Sequence, residues 1–261
     1  MNAYVLPLIL TLFAGMSTLI GGFVTFFIKR NNLKALSVGL GFSAGVMIYV
    51  SLCELLDEAP VLLNAYYGEI TSKALTFGGF FLGILIAVLI DFFIPDHIES
   101  DFLNQSAKIQ QRRRVQRAGF ITAIAVSLHN FPEGIATFLV SSQDLMLGVP
   151  VAIAIAIHNI PEGIAIALPI FHSTGKKRLA ILYTFLSGIS EPIGGLIGVV
   201  LLKTIMPAQC VGIMTAAVAG IMVYLSFDTL LPLAREYGEN HHVIIGIISG
   251  MLIMGVGLIF L

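Results

Sequence analysis

Eight stretches of about twenty predominantly apolar residues leave this chain one kind of architecture. They cover roughly 4–28, 35–57, 74–94, 118–140, 147–171, 179–205, 208–234 and 242–261. A hydrocarbon layer about 30 Å thick is crossed by about 20 residues of helix. Backbone N–H and C=O groups inside lipid must be satisfied within the crossing segment, so isolated spans of this length are helices. Only 11% of residues are charged and 57% are hydrophobic, with a mean hydropathy of +0.96. A soluble domain carries about 25% charged residues. The expectation is an all-α, polytopic membrane protein with eight transmembrane helices. Residues 1–261 read as a single transmembrane domain, with 95–117, polar and rich in Gln and Arg, as a flexible cytoplasmic loop. The opening Met-Asn-Ala-Tyr lacks the basic region of a signal peptide, so the first span reads as a retained helix. Cys53 and Cys210 fall in apolar segments and read as small core residues, not as a disulfide framework.

Lys and Arg orient the spans, because basic residues collect in cytoplasmic loops. With the N-terminus outside, the inner loops hold 12 of the 14 basic residues: Lys29, Arg30, Lys34, Lys108, Arg112, Arg113, Arg114, Arg117, Lys176, Lys177, Arg178 and Arg235. Lys73 and Lys203 are left outside, beside an acidic segment with Asp57, Glu58 and Glu69. An even number of spans then gives N-out and C-out. Glycines four residues apart (Gly41 and Gly45, Gly79 and Gly83, Gly194 and Gly198, Gly246 and Gly250) predict close helix packing.

The chemistry sits in a doubled phrase. His129-Asn130-Phe131-Pro132-Glu133-Gly134-Ile135-Ala136 returns as His158-Asn159-Ile160-Pro161-Glu162-Gly163-Ile164-Ala165 on the next span. A carboxylate at the centre of a membrane helix costs roughly 2.5–3.5 kcal/mol on insertion scales and marks function. Residues at i and i+4 lie about 40° apart around a helix, so each His shares a face with its Glu. Each Asn stands three residues from that Glu and reaches the same site. Imidazole suits Zn²⁺, and carboxylate and amide oxygens extend acceptance to Mn²⁺ and Fe²⁺. Pro132 and Pro161 free the carbonyls of Leu128 and Ile157 and predict kinks. A polar network with a kink accounts for one copy; two copies on neighbouring spans point to a divalent cation, bound singly or as an adjacent pair. Because spans four and five run in opposite directions, the repeat suggests a pseudo-twofold axis in the membrane plane, as in many transporters.

Glu191, in Ser187-Gly188-Ile189-Ser190-Glu191-Pro192-Ile193-Gly194-Gly195 of span six, is a further metal candidate. Glu54 reads as an entrance or a solvated helix end, Asp228 as pathway or packing, Asp91 as a solvated or paired helix end. His97 sits in the long loop, and His172, His241 and His242 read as surface residues.

At the repeated His-Asn-x-Pro-Glu-Gly the chain closely resembles the ZIP (Zrt/Irt-like) divalent metal transporters, in particular bacterial zinc-uptake members of the ZupT type. The likeness extends over nearly the whole chain, including Ser-Gly-x-x-Glu-Pro-x-Gly-Gly. It implies import of divalent metal into the cytoplasm through a binuclear site on spans four and five. His129, Glu133 and Glu162 would hold one ion; Asn130, Asn159 and Glu191 would take the second, with both motif glutamates bridging. His158 occupies a first-site position, and Met47 matches a position lining the cavity. The resemblance also implies a four-helix core that shifts against a dimerising scaffold, hence a homodimer, in a bacterial inner membrane. Zn²⁺, with Fe²⁺, Mn²⁺, Cd²⁺ and Co²⁺, would be the transported substrate, with no cofactor and no nucleic-acid partner.

Other functions fit the residues less well. No Walker A phosphate loop is present, so direct ATP drive is not expected. An intramembrane zinc hydrolase would want His-Glu-x-x-His or a free Glu base, and no asymmetric base stands out. A metal exporter shares the ligand chemistry, and only the resemblance sets direction.

Overall fold

In a computed structural model, which describes residues 4–93, 107–203 and 209–259, every regular element is helical. Eight helices are long and apolar enough to cross a membrane: α1 (Val5–Phe26), α2 (Leu33–Asn64), α3 (Glu69–Phe93), α4 (Ile109–Gln143), α5 (Gly148–Thr174), α6 (Lys177–Val200), α7 (Cys210–Tyr237) and α8 (His241–Ile259). Two of them, α2 and α4, overrun their sequence windows furthest. Helix continues past Asp57 to Asn64 because one face stays apolar, with Ala59 and Leu63 buried while Asp57 and Glu58 face out. The helix that contains α4 starts at Ala107, so the second half of the expected 95–117 loop is helical. Gln and Arg are good helix formers, and Val115 packs into the core. The first part of that segment, with His97, lies outside the described residues.

The helices associate in two groups. α1, α4, α5 and α6 pack on one another, and so do α2, α3, α7 and α8; α2 against α5 and α4 against α7 join the groups. All four expected glycine pairs sit at helix contacts. Gly41 and Gly45 meet α8, and a methyl at Gly41 would stand 2.7 Å from the Val243 carbonyl oxygen. Gly79 and Gly83 meet α7, Gly194 and Gly198 meet α4, and Gly246 and Gly250 meet α2.

α4 and α5 form a hairpin joined through Asp144, whose carboxylate accepts from Met146 N at 2.8 Å to cap the new helix. At its far end α5 closes on Gly175, in the left-handed region at φ 72°, with Gly175 N donating to Phe171 O. Arg30 donates to the carbonyls of His172 (3.0 Å) and Ser173 (2.7 Å), placing a cation on the negative end of the helix.

A second internal likeness links the two halves. Gly45-Val46-Met47-Ile48-Tyr49-Val50-Ser51 on α2 matches Gly220-Ile221-Met222-Val223-Tyr224-Leu225-Ser226 on α7. Each stretch runs into a π-helical turn, Ser51–Leu55 and Leu225–Leu230. In each, the Ser hydroxyl donates to the Met carbonyl four residues back, at 2.7 and 2.8 Å. π turns re-aim side chains and recur at functional sites. Both cysteines are free, but Cys53 is exposed and not a core residue: it lies on the outward side of the first π turn, where an apolar side chain can meet lipid.

Candidate metal centre

The hairpin at Asp144 decides what the repeat builds. Two antiparallel copies of His-x-x-x-Glu meet in reverse order, so each His faces the other copy's Glu. His129 Nε2 lies 2.8 Å from Glu162 Oε1, and His158 Nε2 lies 3.5 Å from Glu133 Oε1. Gly134 lets α6 come close: a methyl there would overlap the Glu191 carbonyl oxygen and stand 2.9 Å from Glu191 Cα. That approach brings Glu191 to the hairpin, where Asn159 Nδ2 donates to Glu191 Oε2 at 2.7 Å. The same nitrogen donates to the Ala14 carbonyl on α1 at 2.9 Å. Asn130, with its amide nitrogen turned toward the acceptors, donates to Glu162 Oε2 at 3.2 Å and to Val126 O at 3.0 Å. All seven side chains singled out in the sequence therefore gather in one place, and all are buried.

Their hydrogen bonding is incomplete. Neither Glu133 oxygen has a hydrogen-bond partner, nor do His129 Nδ1, both ring nitrogens of His158, Asn159 Oδ1 and Glu191 Oε1. Buried polar atoms are nearly always paired, so such a group of orphans marks a site built for something else. Three carboxyl groups and two imidazoles crowd together with few other partners, and buried groups of this kind are stable when they coordinate a cation. Among the described residues no three His, Cys, Asp or Glu side chains converge on one point as they stand. His129 is hydrogen-bonded to Glu162 while His158 and Glu133 only stand close, so an ion must displace one bond and one looser contact.

A cavity of about 650 Å³ reaches the cluster from one face of the molecule. Glu133 and His158 form its floor, and exposed Glu58 and Tyr66 stand at its mouth. Glu54 lines the passage from the π turn of α2, close enough to interact with His158 and Glu133. One of its carboxylate oxygens is buried without a hydrogen-bond partner. His129, Asn130, Asn159, Glu162 and Glu191 lie behind this floor.

Two sequence expectations change, at Met47 and His172. Met47 is fully buried in the apolar core and is not among the cavity-lining residues. His172 is not a surface residue: it is half-buried, with Nδ1 2.7 Å from the Arg30 carbonyl and its ring edge-on to Tyr237. It ends α5 where that helix turns under α7, which no local pattern reveals. α4 and α5 run as helix through Pro132 and Pro161, and Ser43 of α2 donates to the Pro161 carbonyl at 2.6 Å. Asp91 is paired, with Arg117 at 3.3 Å, and Asp228 is exposed and bonded to Tyr224. The contribution of α1, a bare carbonyl at Ala14, has no sequence signature.

The family model described as ZIP Zinc transporter matches residues 94–257. A protein named Zinc transporter ZupT from Clostridium perfringens is 46% identical, over 99% of this chain and 97% of its own length. Proteins of the same name from Streptococcus mutans and Akkermansia muciniphila are 48% and 45% identical, each over 96% of both chains.

Proposed function

The chain belongs to the ZIP zinc-transporter family, and from that premise we propose that it imports divalent metal, Zn²⁺ first, through the α4–α5 cluster. The observation that carries this reading is the pair of reciprocal His–Glu contacts at and behind the floor of a cavity with Glu54 and Glu58 in its lining, each with unused ligand atoms. A hydrated cation enters past Glu58 and Glu54, which raise the local cation concentration. At the floor it meets Glu133 and His158, whose free atoms replace part of its hydration shell. A conducting site must bind well enough to dehydrate the ion and still release it. Mixed oxygen and nitrogen ligation suits that balance and admits Fe²⁺, Mn²⁺, Cd²⁺ and Co²⁺ beside Zn²⁺.

The ligand roles extend the same reading. His129, Glu133 and Glu162, with His158 at the cavity side, hold the first ion. Asn130, Asn159 and Glu191 serve the second, with Glu133 and Glu162 between them. Entry of an ion exchanges the His129–Glu162 and His158–Glu133 contacts for bonds to the metal.

The protein is an integral membrane protein. The cavity mouth lies on the outer side in this reading, because the loops at the opposite face carry 12 of the 14 basic residues. Both ends of the chain are then outside. The matched stretches on α2 and α7, like those on α4 and α5, support an inverted repeat about an axis in the membrane plane. Homodimerisation enters through the family resemblance.

The test is uptake of Zn²⁺, Fe²⁺, Mn²⁺ and Cd²⁺ into proteoliposomes, read by an internal metal-sensitive dye. Uptake by the native protein that disappears in the Glu133→Ala, Glu162→Ala double variant is the expected result. Normal uptake by that variant removes the site from the pathway.

A further inference from the structure

The outer cavity ends on the metal cluster, but the pocket at the opposite face does not. That pocket holds about 310 Å³ and is lined from both helix groups: Gln111, Arg112 and His172 on one side, Leu33, Glu236 and Tyr237 on the other. No residue of the repeated motif lines it. Tyr237 is the most buried side chain that α7 contributes to its lining.

Tyr237 is 8% exposed although it ends a helix beside charged loops. Its hydroxyl donates to the Gln111 carbonyl of α4 at 3.3 Å. Its ring meets the His172 ring of α5 edge to face, with centroids 5.4 Å apart at 71°. Neither contact surface is slack. His172 is held by Arg30, which bonds its carbonyl and the next while His172 Nδ1 meets the Arg30 carbonyl. On the other side, Ser37 donates to Ala234 O at 2.8 Å and pins the end of α7 to α2. Tyr237 therefore joins the two helix groups through anchored partners on each side. A second cross-group contact stands further along α4, where Arg117 meets the Asp91 carboxylate and carbonyl of α3, both at 3.3 Å.

We propose that Tyr237, closed on His172 and Gln111, is the inner gate of the transporter, and that the Arg117–Asp91 ion pair is its latch. The gate rests on the import reading above, which makes this the inner face. A site open to one side must be shut to the other. The outer cavity reaches Glu133, the inner pocket is lined by no motif residue, and these contacts hold the two helix groups together at the inner face. Metal leaves when α4 and α5 draw away from the end of α7, parting the aromatic pair and the ion pair together.

Gln111 and Glu236 offer a test, because both are exposed beside the gate and their side chains lie 3.5 Å apart. In a Cys53→Ser, Cys210→Ala background, Gln111→Cys with Glu236→Cys is treated with a short bis-methanethiosulfonate crosslinker. Crosslinking is expected to proceed without metal, to cut Zn²⁺ uptake at least tenfold, and to leave Zn²⁺ binding from the outside intact; reduction restores uptake. Tyr237→Ala in the same background should lower the crosslinking yield severalfold, and Tyr237→Phe should not, since the ring is kept. Full uptake by crosslinked protein overturns the gate, as does failure to crosslink when each single cysteine reacts. Absence of uptake by the untreated native protein would instead remove the import reading itself.

Discussion

Gly134→Ala should stop transport although residue 134 can ligate nothing. The glycine lies where α4 touches the backbone of α6 at Glu191. A built methyl overlaps the Glu191 carbonyl oxygen and comes within 2.9 Å of its Cα, against the 3.0 Å that real Cβ atoms respect. The obstacle is backbone, so no side chain can swing aside and α6 must retreat by about 1 Å, at an overpacking cost of about 1–3 kcal/mol. A retreat of that size carries the 2.7 Å bond from Asn159 to Glu191 beyond bonding reach. An intramolecular hydrogen bond contributes about 0.5–1.5 kcal/mol, and misplacing a working group by about 1 Å costs about 100-fold in rate. Zn²⁺ uptake per reconstituted protein should therefore fall by about 10- to 100-fold. Thermal unfolding checks that the variant is folded. Gly78→Ala, where a methyl meets nothing within 4 Å, is the control and should transport normally. Native uptake and native Zn²⁺ affinity in Gly134→Ala would show that the close approach of α4 and α6 is not what positions Glu191.

Other perturbations separate pairing from packing. His129→Ala strips Glu162 of its imidazole in a fully buried setting, and breaking such a pair costs about 3–5 kcal/mol; a strongly lowered melting temperature of the metal-free protein, together with lost uptake, is the expected outcome. His158→Asp keeps a ligand at the cavity floor but hardens it, so the uptake ratio of Mn²⁺ to Zn²⁺ should rise, and an unchanged ratio would argue against His158 as a ligand. Arg30→Ala removes two bonds to the carbonyls closing α5, costing about 1–3 kcal/mol; the loss should appear as faster amide exchange at residues 172–175, with the Zn²⁺ preference unaltered.

Much of this site was legible before any fold was known. His129 and Glu133 sit one turn apart, as do His158 and Glu162, and a helix turns such spacing into a shared face by geometry alone. Polar groups of this kind are costly in a membrane helix, so their doubling singled them out. Glu191 was legible for the same reason. The pairing of each imidazole was not. Whether His129 meets Glu133 of its own helix or Glu162 of the next depends on the hairpin turn and its register. The start of α4 is not legible, because an Arg- and Gln-rich stretch has high helix propensity yet a loop's polarity, and burial of Val115 settles it.

The amino-acid sequence by itself determined the eight helices, the residues that face together along each, and the two polar phrases that no lipid would tolerate unpartnered. Those properties follow from hydropathy and from the 3.6-residue period, which act over one or two turns. Tertiary structure alone decided that Ala14 lends a carbonyl to Asn159, that Glu54 looks down a cavity onto His158, and that Tyr237 closes on His172 across two helix groups. Such contacts join residues scores of positions apart. They are set by which glycine-lined faces fit closest once the helices are already formed, and backbone fitted against backbone leaves no local mark on the side chains that meet there.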